Sequence, residues 1–135
     1  MTRMTVLEEV TDGVAVLTMN RPARRNAFND QQYDDLRAAL AETQTDDQIR
    51  VVLITGTPGA FSAGQDINEM GSGRQFTPFV DQLATFEKPL LAAVNGVAVG
   101  IGVTMLLHCD IVYVAESTRL RVPFVAPTAN RLLLS

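Results

Sequence analysis

Hydrophobic residues fall in short blocks along the chain, and each block predicts an element. Residues 6–10 and 14–19 flank Thr11-Asp12-Gly13, and the second run is apolar apart from Thr18, with Val14, Val16 and Thr18 β-branched. That pattern predicts two strands joined by a hairpin turn. Tyr33, Leu36 and Leu40 recur at i, i+3 and i+7. They predict a helix capped by Asn29 or Asp30, with Asp34, Asp35 and Arg37 facing water. The helix is expected to fade near Thr45-Asp46-Asp47. Residues 51–55, 90–94 and 111–115 are nearly continuous apolar runs. Such runs fit strands covered on both faces, as in parallel sheets. Residues 120–122 predict a further strand before Pro123. Residues 56–63 and 96–102 read as loops, and 66–70 as the start of a helix broken by Gly71-Ser72-Gly73. Phe79, Leu83 and Phe86 predict a second helical face, and 102–108 a buried helix. No repeat is visible in the residues themselves. Strand and helix in alternation argue for one α/β domain over residues 1–135.

Composition narrows the classes. The chain has 135 residues, 47% hydrophobic and 19% charged, which is globular rather than disordered. Fifteen acids against eleven bases give a net charge of -4, with no Lys/Arg block. Nucleic acid is therefore not an expected partner. The longest apolar stretch, 90–107, is broken by Asn95, three glycines and Thr104, so no membrane span is expected. One cysteine, Cys109, excludes an internal disulfide framework and fits a reduced, cytoplasmic location. His108 and Cys109 are adjacent, and neighbours on a helix end do not face each other, so they make no nucleophile pair. No metal-ligand spacing is present, and no metal is expected. Ser62 lacks the nucleophile-elbow motif of serine hydrolases.

Two glycine-rich segments carry the candidate chemistry. One is Gly59-Ala60-Phe61-Ser62-Ala63-Gly64-Gln65-Asp66, and the other Asn95-Gly96-Val97-Ala98-Val99-Gly100-Ile101-Gly102. Small residues let backbone approach a ligand, and a following helix start aims N–H groups at it. Neither segment is a Walker loop, because no Lys-Ser or Lys-Thr follows its last glycine. The spacing 96, 100, 102 does not match the dinucleotide fingerprint. Two such turns side by side can aim two N–H groups at one oxygen, an oxyanion hole. Each segment taken alone is better read as an ordinary chain turn.

Five blocks, in order, resemble the crotonase superfamily, the enoyl-CoA hydratase/isomerase family. They are Asn20-Arg21-Pro22, Asn26-Ala27-Phe28, Ala60 through Asp66, Lys88-Pro89 through Asn95-Gly96, and Cys109-Asp110-Ile111-Val112-Tyr113. The resemblance runs from about Val6 to Phe124. It implies an α/β fold, a spiral of ββα units, here ending before the C-terminal helical region. It implies that the backbone N–H groups of Gln65 and Ile101 form the oxyanion hole for an acyl-CoA thioester. Ala63, Gly64, Gln65, Asp66 and Ile67 would line the pantetheine and thioester, together with Ala27 and Gly100. Arg24 and Arg25 would meet the CoA phosphates, or else be ordinary solvated loop charges. Coenzyme A is then part of the substrate, and no separate cofactor is expected. A complete family fold would form a homo-oligomer, a trimer or a dimer of trimers.

Two departures shape the expected activity. Family hydratases carry a glutamate two residues after the glycine triplet, where this chain has Thr104. Threonine cannot act as the carboxylate base. The triplet region looks more like the branch that moves a 3-enoyl double bond to the 2-position. There the glutamate comes later, after a Val-Pro-Phe block, but Pro127 is followed by Thr128. Asp66 reads as a capping residue and Glu69 as a solvated charge. The expected activity is 3-enoyl- to 2-enoyl-CoA isomerisation. The alternatives are hydration, or an inactive acyl-CoA-binding remnant without a base. A further expectation is a fragment whose apolar strands lack part of their cover.

Overall fold

The computed structural model describes residues 3–69, 71 and 73–122. The first hairpin forms as expected: β1 (Val6–Thr11) pairs antiparallel with β2 (Val14–Met19). Asp12 and Gly13 turn it with φ of 52° and 82°. A helix, α1, runs Asp30–Thr45, and Asn29 caps it by accepting the Gln32 N–H at 2.9 Å. Next come β3 (Val51–Gly56), β4 (Gly59–Ser62) and α2 (Phe76–Ala84). They are followed by β5 (Leu90–Val94), β6 (Gly96–Val99) and α3 (Ile101–Thr104), which a 3-10 turn extends over Met105–His108. The last two strands among the described residues are β7 (Ile111–Val114) and β8 (Leu120–Arg121).

A repeat invisible in the residues is plain in this order. Two strands and a helix recur, and the two strands of each later unit part into different sheets. One sheet has the order β1-β2-β3-β5-β7, parallel from β2 onward. The other has the order β4-β6-β8, also parallel. This is the expected spiral of ββα units.

Tyr33, Leu36 and Leu40 are all buried, so the helical stripe faces the core. The rings of Phe28, Tyr33 and Phe79 cluster with centroids 4.8–5.7 Å apart, joining α1, α2 and the loop before α1.

Several expectations need correction. Residues 59–62 and 96–99 are strands rather than loop, because each finds the other as a partner. Asp66 starts no helix, since the residues after it, 67–69, form bends. Asp35 does not face water: it is buried and accepts both the Thr5 N–H and the Thr5 hydroxyl, at 3.0 and 2.7 Å. Residues 102–108 are only partly buried, with Leu107 79% exposed. Strand β7 is not covered on both faces. Among the described residues it lies at a sheet edge, with Ile111, Tyr113 and Val114 exposed.

Candidate active site

The two glycine turns leave the ends of adjacent parallel strands. Strands β4 and β6 pair Gly59 with Gly96, Ala60 with Val97 and Ser62 with Ala98. Parallel neighbours deliver their following residues to the same end of a sheet. Glycine then lets the turns touch. A Cβ on Gly64 would lie 2.9 Å from the Val99 carbonyl oxygen, and one on Gly102 would lie 2.9 Å from the Ser62 carbonyl oxygen. Gln65 and Ile101 directly follow Gly64 and Gly100 in these touching turns.

Each peptide has its own orienting device. Gln65 forms an isolated parallel bridge with Phe28. The Phe28 N–H donates to the Gly64 carbonyl at 2.7 Å, and the Asp66 N–H donates to the Phe28 carbonyl at 2.8 Å. In such a bridge the N–H and C=O of the residue between those two groups point the other way. The Gln65 N–H is therefore turned from Phe28. Ile101 heads α3, and the first N–H groups of a helix have no acceptor within it. Gly100 precedes it at φ 56° and ψ −117°, a conformation reserved for glycine. Helical geometry at Ile101 accommodates its β-branched side chain, which is buried in the core.

Arg21 and Asn26 hold the first turn in place, a role that the sequence alone did not assign to either. The Arg21 side chain, 10% exposed, donates to the Ala27 carbonyl and pairs with Asp66 at 3.2 Å and Glu69 at 3.2 Å. Asp66 also accepts the N–H groups of Asn68 and Glu69, at 2.9 and 3.1 Å. Burial works to raise the pKa of Asp66, but those two N–H groups and Arg21 outweigh it and hold the carboxyl below its ordinary value. So Asp66 caps a turn, as expected of its type, but not a helix. Asn26 is buried at φ 58°. It donates to the Ala60 carbonyl at 2.9 Å and accepts from the Arg21 N–H at 2.8 Å. Their places in the Asn20-Arg21-Pro22 and Asn26-Ala27-Phe28 blocks were the available signal.

The remaining candidates spread around this centre. The Arg25 carbonyl accepts the Ala63 N–H at 2.9 Å. Its side chain lines a cleft of about 350 Å³ with Asn26, Gly59 and Val97. Arg24 is half exposed and lies 4.0 Å from Glu69. Ile67 is 81% exposed. The Gly100 N–H donates to the Arg121 carbonyl at 2.9 Å, tying the second turn to β8. Glu69 also lies within 3.4 Å of the Asn29 amide, so it belongs to a network rather than standing alone in solvent.

Three side chains are committed elsewhere. The buried Ser62 hydroxyl donates to the Asn26 carbonyl at 2.9 Å and accepts the Gly64 N–H at 3.2 Å. The Thr104 hydroxyl turns back to the Gly100 carbonyl at 3.3 Å. Cys109 donates to the Met105 carbonyl, and burial first, then Asp110, pushes its thiol up to about 11. Among the described residues no cluster of three metal-ligating side chains occurs, and no helix is long and apolar enough to cross a membrane. Pro127 and the residues around it lie outside the described residues.

A family model for enoyl-CoA hydratase/isomerase matches residues 9–128. The chain belongs to the enoyl-CoA hydratase/isomerase family. It is similar to 1,2-epoxyphenylacetyl-CoA isomerase of Escherichia coli K12, 40% identical over 132 residues, spanning 88% of this chain and 50% of that protein. It is also similar to 2,3-dehydroadipyl-CoA hydratase of the same organism, 41% identical over 117 residues, spanning 82% of this chain and 46% of that one. Among solved structures, an enoyl-CoA hydratase from Mycobacterium marinum superposes with a TM-score of 0.84 at 38% identity. That superposition covers 96% of this chain and 67% of the other. The chain spans about half the length of the curated relatives it matches. In this family member, the residues of the five motif blocks outside the turns serve the frame. Lys88 Nζ donates to the Thr43 and Asp46 carbonyls at the end of α1. Asp110 accepts the Leu90 N–H at 2.8 Å, and Asn95 donates to the Gly56 carbonyl at 2.6 Å.

Proposed function

We propose that the chain binds an acyl-CoA thioester and stabilises its enolate with the Gln65 and Ile101 N–H groups. The observation that carries this reading is the contact of the two glycine turns at the ends of β4 and β6. Deprotonation at the carbon beside a thioester moves negative charge onto the carbonyl oxygen. Two preorganised N–H donors stabilise that charge where it develops, and removing one such donor costs on the order of 10²–10³ in rate. In an isomerase, a base removes a proton from C2, the charge delocalises to the oxygen, and the proton returns at C4. The double bond then moves from the 3- to the 2-position. Arg24 and Arg25 supply positive charge for the CoA phosphates.

Isomerisation is favoured over hydration by Thr104, whose hydroxyl is neither a carboxylate nor turned outward. The acids nearest the first turn, Asp66 and Glu69, are both paired with Arg21. That pairing favours a second reading of the chain as given: an acyl-CoA-binding unit without its own base. The two readings share the oxyanion site and differ in turnover.

Thermal unfolding with increasing acetoacetyl-CoA, whose enolate resembles the intermediate, tests the shared part. A ligand at a hundred times its Kd stabilises the fold by roughly 2.7 kcal/mol, so the midpoint should climb with ligand. A cooperative transition that ignores the ligand would end the reading. Turnover of a 3-enoyl-CoA by the same sample selects the isomerase over the binding unit.

A further inference from the structure

Gln65 contributes more than a backbone N–H. Its side-chain amide is engaged at both ends: Nε2 donates to the Phe28 carbonyl at 3.0 Å, and Oε1 accepts from the Tyr33 hydroxyl at 3.3 Å. Tyr33 lies 32 positions away in sequence, in the first turn of α1. Its ring is 3% exposed and wedged against Phe28 and Phe79, with centroids 4.8 and 5.6 Å away. Position 33 continues the apolar stripe of Leu36 and Leu40, where a plain hydrocarbon ring would fill the same space. A hydroxyl buried there costs free energy unless it is hydrogen-bonded, and Gln65 is its partner.

The Gln65 peptide has a second constraint. It follows Gly64 at φ +93°, and an isolated bridge holds it beside Phe28. The bridge's two hydrogen bonds, at the Gly64 carbonyl and the Asp66 N–H, hold the flanking peptides along one line, that of the Phe28 backbone. A hydrogen-bond donor loses strength steeply as its angle closes toward ~120°, so small rotations matter. The side-chain bonds to Phe28 and Tyr33 add restraint off that line. Tyrosine has only two χ angles, and packing fixes both, so the core sets the position of its hydroxyl.

We infer that Tyr33 is a positioning residue. Its hydroxyl, acting through the Gln65 side chain, fixes the orientation of the first oxyanion donor. This rests on the proposed oxyanion site and deepens it, tying the donor to the aromatic core. The phenol stays protonated over the working range, because burial, with help from Asp30, pushes its pKa up to about 12.

The test uses the full chain and a cinnamoyl-type CoA thioester, whose absorption moves to the red when its carbonyl is polarised. The wild type should bind the probe and shift it. Tyr33→Phe should bind it within about threefold of the wild-type Kd yet lose about half of the shift, since a misaligned donor polarises less. Gln65→Leu should lose as much, and adding Tyr33→Phe to it should change nothing more. A merely structural tyrosine would change the melting point and leave the shift intact. An undiminished shift in Tyr33→Phe overturns the inference. Should that variant fail to fold, an undiminished shift in Gln65→Leu overturns it instead. Binding without any shift in the wild type, or no binding, removes the oxyanion reading itself and the role of Tyr33 with it.

Discussion

Gly64 and Val99 are packed so closely that a single added carbon on residue 64 would stand 2.9 Å from the Val99 carbonyl oxygen. The contact joins two turns 35 positions apart, the turns that carry the candidate oxyanion donors. Gly64→Ala therefore meets both a backbone clash and a φ of +93°. We expect it to lose about 1–3 kcal/mol of stability and the acetoacetyl-CoA response together. Gly100→Ala is the informative companion. It meets no atom within 4 Å but keeps a φ of +56°. Its cost should come from conformation alone, within the same range. Urea unfolding with and without ligand measures both.

Asp66 gives the fold an acid-sensitive component. Its folded pKa lies below the ordinary carboxylate value of about 3.9, so the ionised form is favoured by folding. The resulting stability is present above the unfolded pKa and is lost as pH falls through the folded one. Asp66→Asn should lower stability at neutral pH by about 1–3 kcal/mol and flatten the acid limb. Urea midpoints taken from pH 7 downward, for wild type and variant, check this. Parallel curves would refute it.

Asn26 is buried and hydrogen-bonded at both ends of its side-chain amide. Its Nδ2 donates to the Ala60 carbonyl, and its Oδ1 accepts from the Arg21 N–H and the Thr57 hydroxyl at 2.8 and 3.2 Å. Asn26→Ala leaves these partners unsatisfied and forces alanine to φ 58°. We expect a loss of about 2–4 kcal/mol. Asn26→Gly relieves the backbone but not the hydrogen bonds, so it should fall between alanine and wild type.

Cys109 should be a slow thiol. At a pKa of about 11, roughly one molecule in a thousand is thiolate at pH 8. Alkylation by iodoacetamide should be at least tenfold slower in the native chain than in denaturing urea. Equal rates would show that the burial holding the thiol up is not maintained in solution.

Local pattern in the residues determines much of this protein. The Asp12-Gly13 turn, the Asn29 cap and the apolar strands Val14–Met19, Val51–Gly56 and Leu90–Val94 are each set by residues within one element. The two glycine segments are likewise visible as places where backbone can approach closely. Hydrophobic period, however, reports which face of one element is buried, not what lies against it. Strands Gly59–Ser62 and Gly96–Val99 are four residues each and rich in small residues, so only their mutual pairing makes them strands. Asp35 is buried because Thr5 comes to it from 30 positions away. Ile111, Tyr113 and Val114 are exposed on a strand that the sheet order of the described residues leaves at an edge. The Tyr33–Gln65 bond, the Arg21–Asp66 pair and the meeting of the two turns all join groups far apart in the chain. Such pairings depend on where the ββα spiral delivers each segment, so they exist only once the tertiary structure has formed.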